Sequence, residues 1–194
     1  MICDWSLARR LVIAIGLIAG SHEPAVAQSL MPGPPGPFVI DLRGATSGVP
    51  TTTALYPELE IDASVPTRGF GFDGGAHVYL FGLGPARVGL GASYLRVRAT
   101  SVDATVNVQL LAPQLSFNFG TSNGWSYLSA GAGPARVDGK VAFDLGSVNA
   151  GGGARWFLND HVGIGFDIRM HRLSAKDDFP RTTLVSASVG VSLK

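Results

Sequence analysis

Charged and polar side chains that could do chemistry recur at every second position in otherwise apolar runs of this chain. Alternate positions of a β-strand lie on one face of the sheet, so such residues would meet inside a curved sheet. There they would line a polar conduit or ligand site, or they would form a closed ion-pair network, which a narrow interior favours. The candidates are Asp73, His77, Arg155, Asp167, Arg169 and His171.

A serine close to a histidine raises a second kind of chemistry, the hydrolysis of lipid. Ser174 follows His171 closely, and His77 could join from a neighbouring strand. Asp177 and Asp178 lie nearby. The spacing matches no nucleophile motif and the chain has no GxSxG sequence, so we expect no catalytic site. A lipid-modifying enzyme is the alternative.

Metal, cofactor and nucleic-acid chemistry is not expected. His77, His161 and His171 lack the spacing of metal ligands. The glycine runs 82–84 and 151–153 precede no helix that could bind a phosphate, so we interpret them as turns and sheet curvature. The net charge is +1 and no basic patch is present, which argues against nucleic acid as a partner.

Eight alternating segments predict the strands that must position these side chains. In the clearest pair, Asn159-Asp160 supplies a tight turn between two alternating runs. The apolar phase changes near Leu95, which predicts a bulge or a strand that leaves the apolar layer, and Pro113 predicts a bend. The predicted strands are 38–43, 70–80, 88–98, 106–119, 125–132, 149–158, 162–171 and 183–193.

The connections between these strands alternate in length, as in an up-and-down meander with its short turns on one rim. The longer ones are 45–68, the segment near Ser101, 133–143 and 174–181, and the tight ones are 82–85, 121–124 and 159–160. We expect the 45–68 loop to be solvated. It could bind a surface partner through Tyr56, Glu58, Glu60 and Asp62.

The apolar rows of these strands could face lipid or a protein core. The opposite faces carry glycine, serine and scattered charge, not the packed Val, Ile and Leu of a lipocalin-like interior. Aromatic residues flank the tight turns, where a membrane barrel carries an interfacial girdle. The girdle candidates are Tyr79, Phe81, Phe117, Phe119, Trp125, Tyr127, Trp156 and Phe157.

We therefore predict an all-β fold, an eight-stranded antiparallel up-and-down transmembrane β-barrel over residues 38–194. No apolar helical pattern follows the amino-terminal residues 1–27. A chain that spans a membrane would therefore have to close its sheet to satisfy the hydrogen bonds of its backbone. A soluble secreted sandwich or lipocalin-like barrel is the alternative.

The amino-terminal region predicts export. Arg9 and Arg10 precede a short apolar run, and Ala25 and Ala27 fit a signal-peptidase site with cleavage after Ala27. Residues 1–27 are therefore predicted to be a signal peptide, and this segment contains the only cysteine, Cys3. Residues 28–37 are rich in proline and glycine and are predicted to be a periplasmic leader.

The hairpin GGGARWFLNDHVGIGFDIR, the terminal VSASVGVSLK and the eight-strand pattern resemble the small bacterial outer-membrane β-barrels of the OmpA, OmpX and OmpW type. The resemblance implies an outer-membrane location, with membrane lipid and the barrel-assembly machinery as partners and a structural or interaction role. It also implies passage of a small apolar ligand, as in the OmpW type. Such chains usually end in an aromatic residue, where this chain has Leu193-Lys194.

Overall fold

The computed structural model describes residues 35–59 and 63–194. The predicted signal peptide, its cleavage site at Ala25 and Ala27, and most of the predicted leader lie outside the described residues. Glu60 and Asp62 of the first long loop also lie outside them. In the described part, no helix is long and apolar enough to cross a membrane.

Eight antiparallel strands form a closed barrel, which confirms the predicted fold class. Each strand pairs with the next along the chain, and β1 closes the barrel on β8 with Ile40 opposite Leu193. A single 3₁₀ turn, Thr53–Leu55, lies in the loop after β1. The strands are β1 Phe38–Gly48, β2 Arg68–Leu83, β3 Ala86–Thr100, β4 Thr105–Thr121, β5 Gly124–Asp138, β6 Ala142–Phe157, β7 Val162–Leu173 and β8 Thr182–Leu193.

The two ends of the barrel differ as the alternating connection lengths predict. One end, the turn end, carries the tight turns around Gly84, Asn123 and Asp160 together with Lys194. The other end, the loop end, carries the connections 49–67, 101–104, 139–141 and 174–181. The strands extend further toward the loop end than predicted, so most of segments 45–48 and 133–143 is strand.

The bulge considered near Leu95 is absent, because the side chains of β3 alternate without interruption on both sides of this residue, and the other expectation, that the strand leaves the apolar layer, is confirmed. Leu95 and Val97 lie inside the barrel, whereas Arg96 and Arg98 lie outside. What changes at this height is the chemistry of the two faces, with apolar residues inside and arginine outside. The bulge lies instead in β2 at Leu80, where the pairing with β3 shifts by one residue.

Pro113 likewise leaves the alternation of β4 unchanged. Ala112 and Gln114 both point inward and Pro113 points outward, so the strand keeps its phase across the proline. The ladder to β5 does lose its pairs at residues 111–113. A proline has no N–H to donate, so an interrupted ladder is the expected consequence.

Candidate functional site

The interior of the barrel consists of three layers, the first of which is an aromatic floor at the turn end. Val39, Tyr79 and Trp125 are buried there, and Phe157 packs against them. The rings of Tyr79 and Trp125 meet edge to face with their centroids 5.9 Å apart. Those of Trp125 and Phe157 stack at 4.7 Å. This floor closes the turn end of the interior.

The second layer is polar and centres on a carboxylate between two guanidinium groups. Arg155 donates from Nε to Asp41 Oδ1 at 2.9 Å and from Nη2 to Oδ2 at 2.6 Å. Arg43 Nη2 lies 2.7 Å from Asp41 Oδ1 but is not aligned as a hydrogen bond. Ser192 also donates to this carboxylate at 2.6 Å. The Arg155 guanidinium also stacks on the ring of Tyr127, 3.9 Å from its centroid. The cation is therefore stabilised both by the Asp41 carboxylate and by an aromatic face.

A second ion pair lies next to the first. Arg169 donates to both oxygens of Asp167, at 3.2 and 2.9 Å, and the Tyr127 hydroxyl donates to Asp167 at 2.8 Å. The same guanidinium donates to Asn149 Oδ1 and Ser129 Oγ, each at 2.8 Å. These groups are buried on β5, β6 and β7. The bonds therefore tie three strands together through the interior.

Neutral and histidine side chains complete the polar layer. His77 Nε2 lies 3.3 Å from Gln114 Oε1, and the Gln114 amide donates to Asn149 Oδ1 at 3.1 Å. His171 Nε2 lies 3.1 Å from Ser186 Oγ. Each of these histidines leaves its Nδ1 without a partner among the described residues. Gln114 and Asn149 thus connect the β2 histidine to the Arg169 pair.

All six residues proposed from the sequence as the inner polar network lie inside the barrel. Asp73, the one closest to solvent, is bonded by Ser188 at 2.9 Å and lies 3.5 Å from Arg43. Asp41 and Arg43 lie at the centre of the layer but were not among the residues proposed from the sequence. Their alternation with the apolar residues of β1, as in β7, could have identified them.

The predicted aromatic girdle is wrong for four of its eight members, which do not lie on the outer wall. Three of its members, Tyr79, Trp125 and Tyr127, are buried inside the barrel, and Phe157 packs on the floor. Glycine provides the space, since a Cβ on Gly153 would lie 2.8 Å from the Tyr127 hydroxyl. The four members that do point outward are Phe81, Phe117, Phe119 and Trp156.

The third layer is apolar and fills the loop end. Leu95, Leu110 and Val137 are among its wall residues, and Leu55 and Tyr56 cover them from the 49–67 loop. This loop is therefore not simply solvated, as predicted, but is partly a plug. The Leu55 carbonyl accepts hydrogen bonds from the N–H groups of 140 and 141, at 2.9 and 3.3 Å. Burial raises the pKa of the Tyr56 phenol above its ordinary value.

A cavity of about 10 Å³ lies between the polar and apolar layers and has room for one water molecule. Asp73, Asp167, His171 and Ser186 are among the residues that line it. Together the side chains of the three layers fill much of the described interior. The arrangement can lock the strands together, and its charges are matched within the layer.

The residues considered for hydrolysis are not brought together. His171 contacts Ser186 inside the barrel, whereas Ser174 accepts a hydrogen bond from the Gly146 N–H at 3.0 Å in a loop. Asp177 is exposed. His161 lies at the turn end, far from the other histidines, and the described residues contain no cluster of three or more possible metal ligands.

The outer wall reverses its polarity at one height. Next to the loop end, the outward residues Arg96, Gln109, Arg136 and Asp144 follow one another across paired positions of β3 to β6. Below them each strand exposes apolar side chains, a surface we call the apolar belt. It includes Leu42, Val78, Leu90, Leu115, Leu128, Val148, Ile168 and Val189, one from each strand.

The closed up-and-down barrel and its filled polar interior define a class, the small eight-stranded β-barrels. Among solved structures, the chain is similar to Neisserial surface protein A, with a TM-score of 0.60, 12% identity, and 82% of this chain and 97% of that one covered. It is also similar to Ail, the attachment invasion locus protein of Yersinia pestis, with a TM-score of 0.52, 16% identity, and coverage of 80% and 96%.

No family model and no curated protein matches the sequence. At these identities the structural likeness shows the fold. The chain has the fold of the small eight-stranded outer-membrane β-barrels, as the resemblance stated from its sequence predicts.

Proposed function

We propose that this protein is an outer-membrane β-barrel with a closed interior, which serves as a structural and interaction scaffold and not as a pore. The reversal of polarity along the barrel carries the proposal. Near the loop end, Leu95, Leu110 and Leu145 point into the barrel. On each of these strands the next residue toward the loop end is polar and points outward, as in a barrel in water; these residues are Arg96, Gln109 and Asp144. Along the apolar belt the arrangement is inverted, which is favourable only where the surrounding solvent is itself apolar.

The height of the apolar belt supports a membrane. On β7 it runs from Val162 to Met170 with every second side chain outward. At ~3.3 Å per residue and a tilt of ~40°, this length spans about 23 Å along the barrel axis. Outer-membrane barrels carry an apolar band of about 25 Å. Membrane lipid and the barrel-assembly machinery are the partners that this location requires.

The packed interior argues against transport through the barrel. A small apolar molecule entering from the loop end would have to displace Leu55 and Tyr56 and then cross the polar layer around Asp41. Crossing it would break charge-assisted hydrogen bonds in a site with little water. We therefore propose that the interior side chains stabilise the barrel and that the protein catalyses no reaction.

Electrophoresis of the outer-membrane fraction, with and without heating, tests the location and the closed barrel. We expect the protein in that fraction and a change of mobility on boiling, because a closed barrel stays folded in detergent. Recovery of the protein in the soluble periplasm without a shift would overturn the proposal and favour a soluble lipocalin-like protein.

A planar-bilayer recording tests the closed interior. The purified protein, folded in lipid, should give no discrete conductance steps. Regular single-channel steps from protein that also shows the heat-dependent shift would overturn the scaffold proposal in favour of a conduit.

A further inference from the structure

Three arginines lie close together on the outer wall of β2 and β3 at the loop end, a surface we call the arginine patch (Arg68, Arg96 and Arg98). Arg98 is paired in register with Phe70, and Arg96 with Phe72. Arg68 is two positions beyond Phe70 on the same face of β2. Arg98 is therefore diagonal to Arg68 across the two strands, ~7 to 8 Å away, and two residues from Arg96 on the same face of β3, ~7 Å away, so it can bind one anion together with either neighbour.

The charges of the arginine patch are not neutralised by the described part of the protein. Arg68 donates to the Thr46 hydroxyl at 3.5 Å, and no carboxylate among residues 35–59 and 63–194 lies within ion-pair distance of the patch. Arg136, at the same height on β5, is instead paired with Asp138 at 3.0 Å and Asp144 at 3.3 Å. Arg136 is thus balanced by acids, whereas the three arginines of the patch are not.

Apolar rings alternate with the guanidinium groups of the patch. Phe70 is 70% exposed, and Phe72 packs against Tyr94 with ring centroids 5.7 Å apart. Below them β3 continues into the apolar belt with Leu90. A soluble polyanion would leave the ring of Phe70 in water. A lipid would cover the rings and place its phosphate beside the arginines, whose planar groups bind phosphate through paired hydrogen bonds.

We propose that the arginine patch binds the phosphate of an anionic lipid in the leaflet at the loop end, which is the outer leaflet because outer-membrane barrels carry their longer loops on the extracellular side. The inference rests on the proposed membrane location and names a ligand for one face of the barrel. The rings of Phe70 and Phe72 lie beside Arg98 and Arg96, where the lipid passes from its chains to its headgroup, and Arg68 lies beyond them toward the loop end.

The test compares two lipids in bilayers that contain the folded protein. The protein is reconstituted in phosphatidylcholine with a trace of spin-labelled phosphatidic acid or spin-labelled phosphatidylcholine, and electron paramagnetic resonance measures how much of each label the barrel restrains. We expect the wild-type protein to prefer phosphatidic acid by roughly three- to tenfold, and high salt to reduce the preference. The double variant R96Q/R98Q should lose most of it.

The matched control is R136Q, which removes an arginine of the same height that is already paired with acids. It should keep the preference for phosphatidic acid. Equal restraint of both labels by the wild-type protein would overturn the inference, as would a preference that survives in R96Q/R98Q. Loss of the preference on adding millimolar glycerol phosphate would also overturn it, because the site would then accept any phosphate.

Electrophoresis with and without heating is run on every sample. If the wild-type protein shows no heat-dependent shift, the proposed membrane barrel fails. If the shift is present but the lipid preference is not, only the lipid inference fails.

Discussion

Asp41 is the residue on which the charges of the interior converge. It accepts hydrogen bonds from Arg155 and Ser192 and lies beside Arg43, and all of these groups are buried. A buried carboxylate is tolerated only while its partners are present, because desolvation of an unpaired charge is costly. The stability of the barrel should therefore depend on the match between these groups more than on any one of them.

We predict that Arg155→Met lowers the free energy of unfolding by about 3–5 kcal/mol, because Asp41 loses its two-point partner. The double variant Asp41→Leu/Arg155→Met should recover most of this loss, since neither charge is then left alone. Urea unfolding of the protein in lipid vesicles measures both. The control is Arg136→Met, which breaks an exposed pair and should cost less than about 1 kcal/mol. A double variant as unstable as the single one would contradict the prediction.

At this scale the sequence predicts which side chains are polar and inward, but not which of them pair. The alternation on β7 identifies Asp167 and Arg169, and the same reasoning applied to β1 would have found Asp41. The alternation of β5 likewise places Trp125 and Tyr127 on the face opposite Leu128, so their inward position could also have been found. The stacking of Trp125 on Phe157 could not, because only the register brings the two strands together.

At the scale of elements, β6 and β7 approach each other closely because β6 carries glycine on its inner face. A Cβ added to Gly153 would overlap the carbonyl oxygen of Phe166, and one added to Gly151 would lie 2.5 Å from that of Ile168. The glycines thus allow the tight curvature of an eight-stranded wall. They also leave room for the ring of Tyr127.

Gly153→Ala should lower the free energy of unfolding by about 1–3 kcal/mol, because the β6–β7 pairing must move to admit the methyl group. Gly48→Ala is the matched control, since no atom lies within 4 Å of a Cβ at that position. It should change stability by less than about 0.5 kcal/mol. Urea unfolding in lipid vesicles compares the two, and equal effects would show that close strand approach is not the reason for glycine at 153.

The 49–67 loop is held on the barrel in part by Leu55, which is fully buried. Leu55→Ala should raise the rate of protease cleavage within residues 49–59 by about tenfold or more, because the plug loses the apolar contact of this side chain. The heat-dependent shift should persist, since the barrel wall keeps its hydrogen bonds. Glu58→Ala, which changes an exposed residue of the same loop, should have no effect on cleavage. Unchanged cleavage of the Leu55 variant would mean that the loop is held by its backbone bonds alone.

The sequence predicted the number, order and faces of the strands, but it placed the loop-end boundaries of several strands too early. The reason is visible on β5 and β6. There the apolar side chains move from the outer to the inner face, at Ala135 and at Leu145, although each strand keeps its phase. A pattern that expects one apolar face per strand ends the strand where the apolar residues change faces.

At the scale of the whole molecule, the apolar belt makes a prediction that separates lipid from water. Val189 is 67% exposed in the middle of the belt on β8, and Thr183 lies on the outer face of the same strand near the loop end. Val189→Arg should cost about 2–4 kcal/mol in lipid, and Thr183→Arg about 0–1 kcal/mol. In water both substitutions are on the surface and should be nearly neutral.

Urea unfolding of the two variants in lipid vesicles measures the difference in their free energies of unfolding. The protein with Thr183→Arg serves as the control for adding a charge to β8. If Val189→Arg is as stable as that control, the belt does not face lipid, and the soluble barrel is favoured.

The pair formed by Asp41 and Arg155 joins residues that are 114 positions apart in the chain, and Ser192 reaches the same carboxylate from 151 positions away. These bonds cannot form until the last strand has arrived beside the first. A sheet that entered the bilayer without closing would expose ionised aspartate and arginine to hydrocarbon, at a cost of several kcal/mol for each. The polar layer therefore raises the free energy of every partly assembled state. We expect insertion and closure to proceed as a single cooperative transition whose slow step is the pairing of the first strand with the last.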